Sequence, residues 1–105
     1  MDRLMKTKTL PNIHPGEILL EDFLKPAGLS QYRVAKAIGI PESRISNIVH
    51  GTRGITADTA LRFGRFFGTT PKVWLNLQNA YDLEEAERAR RKEIEKIHPY
   101  ESAAA

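Results

Sequence analysis

The stretch from Ser30 to Gly51, SQYRVAKAIGIPESRISNIVHG, carries two short amphipathic patterns separated by Gly39-Ile40-Pro41. Apolar residues recur at helical spacing on both sides of this break. Glycine readily adopts a left-handed backbone, and proline is not tolerated inside a helix, so one straight helix is excluded. The pattern therefore predicts two short helices joined by a tight turn.

The apolar residues of this stretch fit the inside of such a helix pair. Ala35 is small, so a second helix crossing steeply can approach the first closely at that point. Ile40 fills the turn, and the residues predicted to face inward are Val34, Ala35, Ile38, Ile45, Ile48 and Val49. This is the helix-turn-helix arrangement, whose second helix lies in the DNA major groove. The alternative is an ordinary helical hairpin within a bundle.

With the isoleucines turned inward, the second helix presents mostly small or polar side chains outward. Such side chains match base edges and phosphates, whereas a merely solvated helix more often carries Glu and Lys. The residues predicted to read bases are Glu42, Ser43, Arg44, Ser46 and Asn47. Those predicted to contact the DNA backbone are Gln31, Arg33, Thr52 and Arg53. For each residue the alternative is a solvated side chain, and Glu42 equally suits the positive first turn of a helix.

The charge of the chain agrees with this interpretation. The net charge is +3 and the sequence pI is about 9.4, which is compatible with nucleic-acid binding without being diagnostic. Residues 30–54 hold four basic residues and one acidic residue, so this stretch alone carries as much excess charge as the whole chain. The basic excess is thus concentrated where DNA contact is predicted.

Composition also argues against other classes of protein. The chain contains no cysteine, which excludes disulfide scaffolds, thiolate nucleophiles and zinc-thiolate sites. The three histidines show no metal-binding spacing, and no phosphate-binding glycine loop is present, so neither an enzyme nor a cofactor or metal site is predicted. No apolar run is long enough to span a membrane or form a signal peptide, and a soluble, cytoplasmic protein is expected.

Helix start and stop signals divide the chain into five helices with brief loops. Residues 1–12 lack periodicity and are predicted to form an N-terminal arm. Signals such as Ser30, Thr56 and Thr70-Pro71 at helix starts, and Gly51 and Gly68 at helix ends, lie between residues 13 and 83. An all-α DNA-binding domain is predicted there. The first helix is predicted to end at Pro26 and Gly28, and the third to run from about Pro41 to His50. Residues 84–105 are predicted to form a charged helical extension and tail, which either continues the fifth helix or frays.

The segments HPGEILLEDFLKPAGLS and GIPESRISNIVHGTRGITADTALRFGRFFGTTPKVWLNLQNAYDL resemble the HigA family of antitoxins, within the Xre/Cro, lambda-repressor-like group of helix-turn-helix regulators. The resemblance covers about His14 to Leu83. It implies a homodimer that binds the double-stranded DNA of its own toxin–antitoxin operon and represses it. It also implies a protein partner, a HigB-type toxin of the RelE-like fold that cleaves mRNA. Pro41 departs from the Ser or Thr often found at that point, which removes a possible backbone contact to DNA.

Dimer formation also has a physical argument, because one short helix reads few base pairs and two copies double the contacts. The predicted dimer interface is Phe66, Trp74, Leu77 and Tyr81. The alternative is that all these side chains belong to the monomer core. Two other functions stay open. A free-standing Xre-type repressor without a toxin would use the same DNA-binding face, whereas a protein-binding helical bundle would show no salt-dependent DNA affinity.

Overall fold

The computed structural model describes residues 11–101, which form five helices and no strand. Residues 1–10 of the predicted N-terminal arm and residues 102–105 of the predicted tail lie outside the described residues. The helix α1 comprises Pro15–Ile18, a π-helical segment Leu19–Leu24 and a last turn Lys25–Ala27. It is followed by α2 (Gln31–Ile38), α3 (Glu42–Val49), α4 (Ala57–Phe67) and α5 (Pro71–Glu95). The predicted all-α, five-helix fold is confirmed.

The helix starts follow from side-chain caps that satisfy backbone N–H groups in the first turn. Ser30 Oγ accepts a hydrogen bond from the N–H of Arg33 at 3.0 Å, and Thr56 and Thr70 cap α4 and α5 in the same way. The helix α3 differs slightly from expectation, since it begins at Glu42 instead of Pro41. Pro41 is extended, with φ −63° and ψ 144°, so it precedes the helix as a residue without a capping side chain.

The helix α1 runs through Pro26 and ends at Ala27, although proline was expected to help end it. Proline has no N–H to donate and its ring collides with the carbonyl four residues earlier. The π-helical segment ends at Leu24, two residues before Pro26, and widens the turn, so that the N–H of Lys25 bonds to the carbonyl of Leu20, five residues back. We attribute the widened turn to this proline.

The core lies between α1, α4 and α5 on one side and the α2–α3 pair on the other. Its largest member, Trp74, packs against Phe23 with tilted rings and against Phe63 edge to face, with ring centroids 4.9 and 5.0 Å apart. The indole N–H of Trp74 donates to Thr69 Oγ1 at 2.8 Å, so its one polar atom is satisfied. The remaining fully buried apolar side chains include Leu19, Leu24, Val34, Ile45 and Ile48.

The long helix α5 extends beyond this core. It continues without interruption across residues 83 and 84, and a bend with non-helical torsions at Arg90 (φ −123°, ψ 17°) divides its last turns from the rest. The molecule measures 57 × 29 × 22 Å, and no residue of α5 after Gln78 is buried. The charged segment thus continues the fifth helix to Glu95. Within residues 11–101, no helix has the length and apolar character needed to cross a membrane.

Candidate DNA interface

The helices α2 and α3 form the predicted pair, joined by a turn in which Gly39 has a φ of +76°. Only glycine adopts this left-handed conformation without strain. Ile45 and Ile48 have no accessible surface, which fixes the rotation of α3 about its axis. The opposite side of α3 therefore faces solvent, as the sequence pattern predicted.

All five predicted base-reading residues lie in this short helix. Glu42, Ser43 and Asn47 are exposed, while Arg44 and Ser46 are half-buried at its flanks. The side chain of Asn47 makes no hydrogen bond within residues 11–101, so its amide is available to a ligand. An amide of this kind matches the donor and acceptor that adenine presents in the major groove.

The loop after α3 brings two predicted backbone contacts next to this helix. The carbonyl oxygen of Asn47 accepts from the N–H groups of Thr52 and Arg53 at 2.9 and 3.2 Å, and from Thr52 Oγ1 at 3.2 Å. Both side chains are exposed. Gln31 and Arg33 lie in the first turn of α2, where backbone N–H groups remain unpaired within the helix. The structure thus gathers the four residues at two places, the end of α3 and the start of α2.

His50 lies at the end of α3 beside these residues. Its Nδ1 lies 2.7 Å from the carbonyl oxygen of Ser46. A carbonyl oxygen only accepts, so Nδ1 carries the proton and Nε2 is left as an acceptor in the neutral ring.

The position of α3 depends on the first turn of α1. A Cβ atom on Gly16 would overlap the carbonyl oxygen of Ile48 and lie 2.6 Å from its carbonyl carbon. Only glycine allows the two backbones to approach this closely. The sequence signal for this contact was the Pro-Gly pair at the start of α1, but nothing in it indicated the partner.

His14 caps the same turn. Its Nδ1 accepts from the N–H of Gly16 at 2.8 Å, and its ring meets the edge of Tyr81 with centroids 4.8 Å apart. Burial lowers the pKa of His14 below its usual 6.5, and the negative charge of Asp82 partly opposes this shift. The neutral ring is the form that this hydrogen bond requires.

Two further side chains, which no sequence pattern indicated, form hydrogen bonds to the end of α2 and to the loop after α3. Arg62 Nη1 donates to the carbonyl oxygen of Ile38 at the end of α2, at 2.7 Å. Gln78, buried on α5, accepts from the N–H of Ile55 at 2.7 Å and donates to Asp82 Oδ1 at 3.0 Å. The Arg62–Ile38 and Gln78–Ile55 bonds join residues more than twenty positions apart, which no local pattern reveals.

The predicted dimer residues occupy different environments. Trp74 has no accessible surface, so the prediction that it lies at a dimer interface does not agree with its place in the monomer core. Leu77 is half-buried against the core. Tyr81 is half-buried, packs on His14, and its carbonyl oxygen accepts from Asn12 at 2.9 Å. Phe66 remains 37% exposed.

The chain is similar to known proteins in sequence and in structure. A family model described as helix-turn-helix matches residues 20–75. The chain is 58% identical over 79 residues to virulence-associated protein I of Dichelobacter nodosus, which covers 75% of this chain and 73% of that protein. It is 33% identical over 96 residues to antitoxin HigA-1 of Vibrio cholerae, which covers 91% of this chain and 90% of that protein.

A solved structure of the Pseudomonas aeruginosa antitoxin HigA with the higBA promoter matches with a TM-score of 0.83 and 40% identity, over 87% of this chain and all of that chain. The chain belongs to the HigA family of helix-turn-helix antitoxins. This HigA-family membership confirms the resemblance drawn from the sequence. It also places the chain among DNA-binding regulators, a class without enzymatic activity.

Proposed function

We propose that this HigA-family protein is the antitoxin of a type II toxin–antitoxin module. In this proposal it represses its own operon as a homodimer bound to operator DNA, and it binds and neutralises a HigB-type, mRNA-cleaving toxin. Its site of action is the cytoplasm. Support comes from family membership and from a related HigA whose structure includes its promoter.

The observation that carries the DNA-binding part is the outward face of α3. Full burial of Ile45 and Ile48 fixes the rotation of α3 about its own axis, and the side that is then exposed carries no bulky apolar residue. In that orientation Ser43, Arg44, Ser46 and Asn47 face the major groove, and Glu42 lies at its entrance. Hydrogen-bonding side chains on a short protruding helix are suited to reading base edges.

The backbone contacts follow from the surroundings of this helix. Thr52 and Arg53 flank its C-terminal end because their N–H groups are tied to Asn47. Gln31 and Arg33 flank the other side from the first turn of α2, where the helix dipole favours phosphate. In this arrangement phosphate contacts fix the position of the domain, and the residues of α3 select the sequence.

The proposal is tested by titrating the protein with DNA from upstream of its own gene, beside a scrambled duplex, at two salt concentrations. We expect tight binding to the first duplex and weak binding to the second, with affinity that falls steeply as salt increases. Equal affinity for both duplexes, or none, would contradict the assigned face of α3.

The toxin partner requires a separate experiment. The product of the neighbouring gene is co-expressed with this protein, and cell growth and mRNA cleavage are measured with and without it. We expect the two proteins to copurify and mRNA cleavage to stop. Operator binding without any toxic neighbour would instead identify a free-standing repressor.

A further inference from the structure

His50 is an exposed, ionisable side chain beside the DNA-reading face that has no part in the proposed function. It directly follows Val49, the last residue of α3, and lies one helical turn beyond Ser46, which is proposed to face the groove. The loop that carries Thr52 and Arg53 begins immediately after it. Along the chain, His50 therefore lies between the residues proposed to read bases and those proposed to contact phosphates.

The imidazole ring of His50 is held by the end of its own helix. Its Nδ1 lies 2.7 Å from the carbonyl oxygen of Ser46 and 3.4 Å from Ser46 Oγ. Because the carbonyl oxygen only accepts, Nδ1 keeps its proton whether the ring is neutral or charged. The other ring nitrogen, Nε2, has no hydrogen-bond partner within residues 11–101. Nε2 is therefore the atom with which His50 can meet a ligand.

The charge of the ring decides which ligand Nε2 can bind. In the neutral ring Nε2 is an acceptor, and the oxygens of a DNA phosphate are acceptors too, so no hydrogen bond forms between them. In the charged ring Nε2 carries a proton and can donate a charge-assisted hydrogen bond to phosphate. A contact between His50 and the DNA backbone thus requires the imidazolium form.

The place of His50 in α3 favours the DNA backbone over the bases. In helix-turn-helix complexes, the residues that contact base edges come from the N-terminal part of the recognition helix. His50 lies at the opposite end of α3, where the carbonyl oxygen of Asn47 holds the N–H groups of Thr52 and Arg53. A phosphate that Thr52 and Arg53 bind therefore lies at the same end of α3 as His50.

The helix itself favours a positive charge at this position. The C-terminal end of a helix carries partial negative charge, and histidine side chains there can bond to its last carbonyl groups. The contact between Nδ1 and the carbonyl oxygen of Ser46 is of this kind. The site is therefore suited to hold the imidazolium once a phosphate is present.

No group of opposite charge pairs with His50 in the isolated chain. The elements around the end of α3 carry several ionisable side chains: His14 and Glu17 in α1, Arg33 and Lys36 in α2, Arg53 in the loop, and Tyr81 and Asp82 in α5, next to His14. None of them forms a hydrogen bond or an ion pair with His50 within residues 11–101. A DNA phosphate would therefore be the first partner of opposite charge for this ring.

We propose that His50 binds a DNA phosphate through Nε2 as the imidazolium, so that each copy of the protein takes up a proton when it binds the operator. The inference rests on the proposed operator binding and adds one contact and one proton to it. Histidine side chains are mostly neutral above about pH 6.5, so at neutral pH the proton is acquired on binding. Operator affinity then falls as the pH rises, roughly fivefold or more between about pH 6 and pH 8 for each copy.

The test is isothermal titration calorimetry with operator DNA near neutral pH, in two buffers of different ionisation enthalpy. The difference between the two observed enthalpies gives the number of protons taken up. We expect roughly half a proton or more per copy for the wild type. His50→Gln carries an amide that donates to phosphate without a proton, so this uptake should disappear. His98→Gln, which removes an exposed histidine beyond the end of α5, should take up as many protons as the wild type.

The operator affinity at about pH 6 and pH 8, at constant salt, gives a second measurement. The wild type and His98→Gln should both bind more weakly at the higher pH, and His50→Gln should show a smaller change. The titration of His14 cannot imitate this result, since burial disfavours its charged form and acid therefore destabilises the fold. Far-UV circular dichroism at both pH values confirms that each variant is folded.

Three results would overturn the inference. The first is operator binding by the wild type without proton uptake, and the second is an uptake that His50→Gln leaves unchanged. The third is an operator affinity that rises with pH in the wild type and not in His50→Gln, which would mean that the neutral ring accepts from a base amino group. All three leave the preference for the operator duplex intact. The proposed repressor function fails by a different result, the absence of that preference.

Discussion

Replacing Gly16 with alanine tests how α1 positions the DNA-reading helix. The new Cβ would overlap the carbonyl oxygen of Ile48 and lie 3.0 Å from the Cα of Val49. All of these atoms belong to the backbone of α3 or its end, so no side-chain rotation relieves the contact. The two helices have to separate.

The size of the effect follows from the distances. A carbon–carbon contact is comfortable at about 3.5 Å or more, whereas the new Cβ would lie 2.6 Å from the carbonyl carbon of Ile48. A shortfall of about 1 Å crowds the contact as an extra group does in an overpacked core, and such crowding typically costs about 1–3 kcal/mol. Alanine by itself favours a helix by up to about 1 kcal/mol over glycine. Because the new Cβ also overlaps the carbonyl oxygen, the cost lies at the upper end of this range, and we expect a net loss of about 2 kcal/mol in the free energy of unfolding.

The assay is urea denaturation followed by far-UV circular dichroism. Gly28→Ala is the matched control: Gly28 has a φ of +65° but nothing within 4 Å of the added Cβ, so only local backbone strain of about 1 kcal/mol is expected. Gly16→Ala should also weaken operator binding at temperatures where it is still folded. A Gly16→Ala protein as stable as Gly28→Ala, with unchanged operator affinity, would refute the close approach of α1 and α3.

Three further variants probe other parts of the site. Asn47→Ala should cost about 1–3 kcal/mol of binding free energy on operator DNA and little on scrambled DNA. Asn79→Ala, at an exposed position of α5, is the control and should leave binding unchanged. Equal losses on both duplexes would mean that Asn47 contacts the DNA backbone and not a base. Because the pKa of His14 is lowered in the folded chain, the unfolded chain binds more protons than the folded chain below about pH 6.5. The free energy of unfolding should therefore fall as the pH falls, and it should fall less in His14→Asn. Identical pH profiles of the two proteins would contradict this. Gln78→Leu leaves the buried N–H of Ile55 unpaired and should lower the free energy of unfolding by about 1–3 kcal/mol, measured by urea denaturation. An unchanged free energy of unfolding would mean that water replaces the hydrogen bond.

The sequence predicts the helix ends well because the signals that determine them are local. Ser30, Thr56 and Thr70 each bond to an N–H three residues later, so the cap and its partner lie within one turn. The orientation of α3 is predictable for a similar reason, since Ile45 and Ile48 are one turn apart. The one-residue error at Pro41 arises because proline suits both the N-cap and the first turn of a helix.

Contacts between distant residues could not be predicted in this way. The partner of Gly16 is a carbonyl group, which every residue carries, so the sequence around Ile48 holds no sign of it. The place of Trp74 shows the same difficulty. An aromatic residue on an amphipathic helix suits a core or an interface equally, and only the packing of Phe23 and Phe63 around it decides. The sequence alone is compatible with both places for Trp74.

These distant contacts connect the DNA-reading face to the long helix α5. Gln78 on α5 holds Ile55, at the end of the loop that carries the predicted phosphate contacts, and Tyr81 packs on the cap of α1, whose first turn meets α3. Because α5 contacts the motif at both points, its axis fixes the direction of α3 within each copy.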